Sequence, residues 1–440
     1  MTTDIQQISD TMAAHGYRWQ PPPSLVPARP GLFAHHAAPS WIDPLLVPLT
    51  RARGGVQTVR WSIAARHWHA VPAARPPSAQ RVLSALWAGP RPLHVPVGDV
   101  ARALASAGVD SSDLAFVVSS SSSEGDSLRR ALGRLGVDAR RIGSGEETVA
   151  TVRRAVLAGG PHLSIEFPVG PPCSITCGPG CRCGRYRVLA HLRFNPASQT
   201  RSLMEIAVLE SELLGAVHGT REPYGVHRFA TLVKSVRDAL PAKGTQAARA
   251  QRVRLIADRL FTATLLIGSG FEPGPRGAAY VVRRLLRNVG TELALAGGSL
   301  TCLDGLVQVA DRSVRTTLGF APLTDALLAV VRDERERFAH VLARAPILLR
   351  STVTRRQGPT ERAHALLRLR NEQGVPLGIA VAWCRENDFA LSLRRVALLQ
   401  ETSQRGEGAW GLPGPLTDTR PRPDSDTHST TPHAISAAGL

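Results

Sequence analysis

The sequence predicts an α+β protein in which a mixed segment of strands and helices is followed by a mainly helical one. Three stretches lead to this. Residues 56–71 carry the Val, Trp and Ile content of strands. Residues 100–142 read as helix, strand, helix, and residues 252–289 read as two helices joined by a glycine-rich turn.

Composition bounds the function. A chain of 440 residues with 43% hydrophobic content has room for two or three domains with real cores. It shows no run of eighteen or more apolar residues and no charged-then-apolar start, so a soluble, cytoplasmic protein without a membrane partner is expected. The formal charge of +18 suggests a polyanionic partner. Lysine occurs only at Lys234 and Lys243, however, and the arginines are scattered through every segment. A basic surface follows from this, and nucleic-acid binding does not. Six cysteines without a secretion signal argue against a disulfide framework.

In chain order, the first helix carries Ile5, Ile8 and Met12 and ends near Gly16, before a proline-rich extended stretch to Leu49. The strands of residues 56–71 come next. Residues 100–108 form a helix, residues 114–118 a strand, and residues 128–135 a second helix. The serines from Ser119 to Ser123 read as a loop leaving that strand, and no function is assigned to them. Cys173, Cys177, Cys181 and Cys183 follow with spacing C-x3-C-x3-C-x-C, close enough to wrap one tetrahedral Zn2+. That spacing is not one of the common paired knuckles, so a metal site and a cysteine-rich turn both stay open.

Val253, Ile256, Leu260, Ala263 and Ile267 recur at helical spacing, with Arg252, Asp258 and Arg259 off the stripe. The turn of residues 268–277 stops this helix. The next one counts Tyr280, Leu285 and Val289 among its apolar residues and Arg283, Arg284 and Arg287 as a basic set. A solvated helix face is the ordinary reading of such a charge run. Residues 325–345 form a long helix with Leu327, Val331, Phe338, Val341, Leu342 and Ala345 on one stripe and residues 332–337 mostly outward. After Glu401 the chain is rich in Gly, Pro, Ser and Thr without a helical or strand period, which reads as a disordered tail.

The order of these residues resembles alanyl-tRNA synthetases. Ile256-Ala-Asp, the apolar helix, the glycine-rich turn with Arg276-Gly, and Tyr280-Val-Val-Arg-Arg-Leu-Leu-Arg resemble the start of that family's helical tRNA-recognition domain. Gly16-Tyr, Ser24-Leu-Val-Pro and Leu32-Phe resemble its opening. Ala65-Arg66-His67 resembles the second class II motif, whose arginine contacts the α-phosphate of ATP, and Tyr224-Gly225-Val-His-Arg228 resembles the third, whose arginine binds the γ-phosphate. Gly170-Pro-Pro-Cys is similar to the Gly-Pro-Cys turn beside the active site, and residues 185–194 are similar to the strand of the amino-acid pocket. The helix of residues 325–345, the run of residues 369–378 and Cys384-Arg-Glu-Asn extend the likeness.

The resemblance implies a class II synthetase antiparallel sheet of six or seven strands flanked by helices, followed by an all-α domain. The implied boundaries are a catalytic domain over residues 1–240, a helical domain over 241–400 and the tail over 401–440. It implies ATP and Mg2+ as reactants, with Arg66, His67 and Arg228 on the phosphates because charge builds there as a carboxylate attacks. Gly225 would allow close approach to ATP.

The chain also departs from the family. Pro72 stands where the family carries a glutamate, and Val188, Ala190 and His191 stand for an acidic residue, a tryptophan and an asparagine of the pocket. Arg221 stands for the aspartate that pairs with the amino group of alanine, which leaves the adjacent Glu222 to hold that ammonium. Ala294 and Gly378 replace the asparagine and aspartate that read the acceptor stem, and neither can hydrogen-bond a base edge.

The expected function is therefore activation of a small amino acid, alanine first, as an aminoacyl-adenylate, and its transfer to a small-molecule, nucleoside-like acceptor in a biosynthetic pathway. One alternative keeps tRNA as acceptor or aminoacyl donor, held through Arg283, Arg284 and Arg287. Another is a catalytically inactive paralogue that binds RNA, a nucleotide or a synthetase. The family's editing domain and C-terminal module have no counterpart in the sequence, and a monomer is expected rather than a dimer.

Overall fold

A computed structural model describes residues 4–22, 25, 54–63, 77–119, 123–145, 161–181, 183–195, 203–220, 223–242, 244–318, 325–355, 357–396 and 398. The first part runs α1 (Asp4–Ala14), β1 (Tyr17–Trp19), β2 (Gly54–Ile63), β3 (Ala79–Ala88), α2 (His94–Ser106), β4 (Ala115–Ser119), α3 (Ser123–Arg134), β5 (Ile142–Gly145), β6 (His162–Pro168), β7 (Tyr186–Asn195) and β8 (Leu203–Leu209). Helices follow: α4 (Glu210–Val217), α5 (His227–Ala239), α6 (Gln246–Gly268), α7 (Gly277–Leu295), α8 (Leu303–Leu318), α9 (Asp325–Thr352), α10 (Pro359–Gln373) and α11 (Leu377–Glu386). This is the expected α+β class.

The strands form one sheet in the order β1-β2-β3-β8-β7-β6-β4-β5. Among the described residues it has eight strands rather than six or seven, and it is mixed. The six from β2 to β4 are antiparallel to their neighbours, while β1 and β5 add parallel strands at the edges. Both edge strands are short, at 3 and 4 residues, and a strand of that length carries too few side chains to show a period. At Gly55 of β2 a Cβ would come within 2.6 Å of the Tyr17 ring and 2.8 Å of Trp87, so only glycine lets β1 lie down there.

One face of the sheet is apolar. Val59, Leu83, Ile206, Leu192, Leu163 and Val118 meet Ile5, Ile8 and Met12 of α1, Val100 and Leu104 of α2, and Leu128 and Leu132 of α3. This is the role the helical spacing of α1 requires.

The helices beyond β8 share a second apolar core. Phe229, Leu232 and Val236 of α5 pack with α6, α7 and α8 and with Trp61 and Ile63 of β2, so packing is continuous across residue 240. A third cluster joins Ala345 and Leu349 of α9 to Leu366, Leu369, Ala380 and Cys384 of α10 and α11.

Three expectations for the helices change. Helix α6 is not amphipathic beyond Val253, because every residue from there to Ile267 except Arg254 is buried, Asp258 and Arg259 included. Tyr280 is exposed, and α7 instead buries Val281, Val282, Leu285, Leu286, Val289 and Leu293. Helix α9 continues through Pro346 to Thr352. A proline removes a single N–H from the ladder, and burial of Leu349 on the next turn holds the helix together. Among the described residues no helix is long and apolar enough to cross a membrane.

Candidate active site on the polar face of the sheet

The opposite face of the sheet is polar. Strand register aligns Thr58, Ser84, Ala207, His191 and Ser164 in one row across β2, β3, β8, β7 and β6. A second row, one pleat on, holds Glu205, Arg193 and His162. Small side chains in the middle and charged ones around them make a floor on which a polar ligand can lie.

The charges on this floor are buried. Arg60 is 6% exposed and donates from Nε to Ser84 Oγ at 2.9 Å. Burial pulls its guanidinium down to about 10, and Glu205 works against that shift. Arg193 and Glu205 are also buried, directly opposite each other. His162 and His191 share a hydrogen bond, Nε2 to Nδ1, at 3.0 Å with their rings stacked. On the same side of β6, Glu166 accepts from Ser164 Oγ at 3.2 Å, and burial raises its carboxyl above the usual range.

Burial, then His191 and Arg193, push the His162 imidazole down to about 2 from 6.5. A histidine held neutral in the fold stabilises it fully above its unfolded value, and that contribution is lost as pH falls below 6.5. Native His162 takes up no proton in that window while the unfolded chain does. Stability is therefore expected to fall by about 1.4 kcal/mol per pH unit below the unfolded value on account of this residue. Urea melts between neutral and mildly acidic pH should show the slope, reduced in His162→Gln; an equal slope in both proteins would refute it.

Helix α4 leaves β8 with Leu213 in the apolar core beside α1, and its first turn ties the sheet to itself at β3 and β7. Glu210 pairs with Arg81 at 3.2 Å, Glu212 with Arg187 at 3.1 Å, and Ser211 donates to Gln80 at 3.0 Å. At the start of β3, Asp258 of α6 accepts from the Ser78 N–H at 2.7 Å, the Ser78 hydroxyl at 2.6 Å and the Tyr224 hydroxyl at 3.1 Å. The carboxylate thus ties the turn Pro223–Gly225 to the sheet.

The expected site residues fall unevenly on this frame. His191 sits on the floor, half-buried. Gly225 is exposed in its turn, and a Cβ there would meet Thr220 only at 3.6 Å, an ordinary contact, so nothing within the described chain demands a glycine. The backbone of Arg228 lies in the first turn of α5, with its side chain outside the described set. Arg66, His67, Arg221 and Glu222 lie outside the described residues.

Arg283 and Arg287 both turn their Nε to Glu334 of α9, at 3.4 and 2.5 Å, and Glu334 is 3% exposed. Residues 332–337 are therefore not uniformly outward. Glu334 lies three residues from Val331 and four from Phe338, on the buried stripe itself. Arg284 has an interaction of its own.

The four clustered cysteines are free, on the loop between β6 and β7, with their sulfurs within 4.8 Å of one another. The Cys173 backbone, ahead of Arg185, holds the Cys177 thiol down to about 6, whereas hydrogen bonding with Cys177, then Cys183 and Cys181, pushes Cys173 up to about 12.

Sequence reasoning missed Arg60, His162, Glu166, Arg193 and Glu205. The signal was present: in His162-Leu-Ser-Ile-Glu166 every second residue is polar, and the same alternation marks Arg193 and Glu205.

The family described as tRNA synthetases class II (A) matches residues 208–410. The alanine–tRNA ligase of Treponema pallidum (strain Nichols) is 29% identical over 166 residues, 34% of this chain and 27% of that one. That of Desulforudis audaxviator (strain MP104C) is 25% identical over 249 residues, 53% of this chain and 28% of that one. Among solved structures, apo histidyl-tRNA synthetase of S. aureus aligns with a TM-score of 0.35 and 11% identity, over 49% of this chain and 65% of that one. A pyrrolysyl-tRNA synthetase of Desulfitobacterium hafniense gives 0.30 and 12%, over 50% and 70%.

The protein is thus class II aminoacyl-tRNA synthetase-like. Within that class it is alanyl-tRNA synthetase-like, related to the alanine–tRNA ligases, and it spans about a quarter of the length of these curated relatives.

Proposed function

We propose that this protein activates a small amino acid, alanine first, with ATP and Mg2+, and passes the aminoacyl group to an acceptor other than tRNA. The observation that carries the activation reading is the polar floor of the sheet, in a chain related to alanine–tRNA ligases. Adenylate formation brings together a carboxylate, an ammonium and a triphosphate. Buried Arg60 and Arg193 suit the anions, and Glu205 and Glu166 are oxygen donors of the kind that suit Mg2+ or an ammonium.

In this reading the amino-acid carboxylate attacks the α-phosphorus of ATP and pyrophosphate leaves. The acceptor's nucleophile then attacks the acyl carbon, and AMP leaves. Arg66 and Arg228 neutralise phosphate charge beside His67, Gly225 admits the nucleotide, Glu222 beside Arg221 holds the ammonium, and His191 lines the pocket. The catalytic part is residues 1–240 and the helical part residues 241–400. The pairing of Arg283 and Arg287 with Glu334 supports a non-tRNA acceptor, because two of the three arginines on that helix already have an anion within the chain. A small nucleoside-like metabolite fits this chemistry.

The test is ATP–pyrophosphate exchange with each of the twenty amino acids. Exchange with one small amino acid is expected, and its loss in Arg228→Ala with an unchanged circular dichroism spectrum. Exchange that survives in Arg228→Ala would remove that arginine from the site. No exchange with any amino acid would overturn the activation reading in favour of a preformed aminoacyl donor or a non-catalytic paralogue.

A further inference from the structure

The loop between β6 and β7 spans residues 170–184, and none of its described residues is buried. Its one large apolar side chain, Ile175, is fully exposed. A loop of this length without a core has little to set its shape except what its side chains converge on. Here they converge on sulfur.

Cys173 and Cys181 bring their Sγ atoms to 3.7 Å, as do Cys177 and Cys183, and all four lie within 4.8 Å of one another. A tetrahedral zinc with Zn–S bonds of about 2.3 Å places its sulfurs about 3.8 Å apart along each edge. Two edges thus already have that length, and the whole set is within reach of a single ion.

The backbone around the sulfurs is built to hold them. Tight turns close Ser174 to Cys177 and Gly178 to Cys181, each with an N–H···O bond of 3.1 Å. Gly180 and Gly184 take positive φ, +83° and +85°, where a side chain would be strained. Arg185 donates to the Cys177 carbonyl at 3.3 Å, and the Val169 N–H closes the base of the loop on the Arg185 carbonyl at 2.7 Å. The loop is also seated on the sheet: at Gly143 of β5 a Cβ would lie 2.2 Å from the Pro179 carbonyl oxygen.

We propose that Cys173, Cys177, Cys181 and Cys183 bind one zinc ion as a closed four-thiolate site that shapes the β6–β7 loop and seats it on β5. Four thiolates complete the tetrahedron and leave no open position for substrate or water, so the ion is structural. The loop reaches the polar floor, since the Gly180 N–H points at Glu166 at 3.5 Å. Zinc thereby closes one end of the candidate site. The inference stands whether or not the protein forms adenylates.

The test uses the full chain purified under reducing conditions. Metal analysis is expected to find one zinc per chain. A mercurial thiol reagent should release it in step with four thiols, and limited proteolysis should cut the loop only after zinc is removed. The double variant Cys173→Ser, Cys181→Ser should lose the metal and gain the cleavage, while Cys302→Ser, on another part of the fold, keeps both wild-type behaviours. Zinc at buffer level in the wild type overturns the proposal, whether its four thiols titrate freely or are paired as disulfides. Zinc retained in the double variant overturns it too.

Discussion

Asp258→Ala is expected to lower the unfolding free energy by about 3–5 kcal/mol. The carboxylate is 1% exposed and is the acceptor for the Ser78 N–H, the Ser78 hydroxyl and the Tyr224 hydroxyl. Alanine would leave three donors without this acceptor in a place water does not reach, at a cost of about 1–3 kcal/mol for each that finds no other partner. It would also untie β3, α6 and the turn of Gly225 at one point. Urea denaturation is the measurement, and a loss below about 1 kcal/mol would refute the account.

The same residue gives a pH test. Burial raises the Asp258 carboxyl above 3.8, and the Ser78 bonds work against that shift. A raised folded value means its contribution is fully present below the unfolded value and is lost as pH rises through the folded one. Asp258→Asn keeps an acceptor for Ser78 and does not ionise. Its stability relative to wild type should therefore improve as pH is raised from below 3.8, and a difference independent of pH would refute this.

Glu334→Gln is expected to cost about 2–4 kcal/mol and to increase affinity for RNA. Glu334 holds Arg283 and Arg287 together across the α7–α9 contact, where Arg287 also lies over the Phe338 ring at 5.7 Å. Glutamine keeps the volume and removes the charge, so two cations lose their anion. Arg283 is 32% exposed and can turn outward, whereas Arg287 is 18% exposed and carries most of the loss in stability. A phosphate backbone would then compete for both. Fluorescence anisotropy with an acceptor-stem RNA should show tighter binding and a steeper salt dependence, by about 0.7 to 0.9 in log–log slope per added phosphate contact. Wild-type binding that is already tight and salt-sensitive would instead favour the tRNA reading.

Helix α1 was legible because Ile5, Ile8 and Met12 have only one way to share a face, and the sheet buries that face. Helices α6 and α7 were legible as helices from the spacing of their apolar residues and the turn that separates them, but not in which faces they bury, since α6 is enclosed on all sides from Leu255 to Ile267. Strands β3, β6 and β8 were harder. A strand's period of two is carried by few residues, and in β3 the polar side also holds Val82 and Leu86, which blurs the alternation. In the site, a resemblance pointed to His191, while its partner His162 lies 29 residues earlier and is joined to it only by pairing of β6 with β7.

The sequence by itself determined the α+β class, the existence of the main helices and the clustering of four cysteines, because these depend on residues near one another along the chain. Tertiary structure decided which charges are solvated and which are buried. Asp258 and Glu334 read as surface residues from helical spacing, yet each lies inside, because what surrounds a helix is set by elements far away in sequence: Ser78 for one, Arg283 and Arg287 for the other. Burial is a property of the assembled neighbours, and only the fold brings them together.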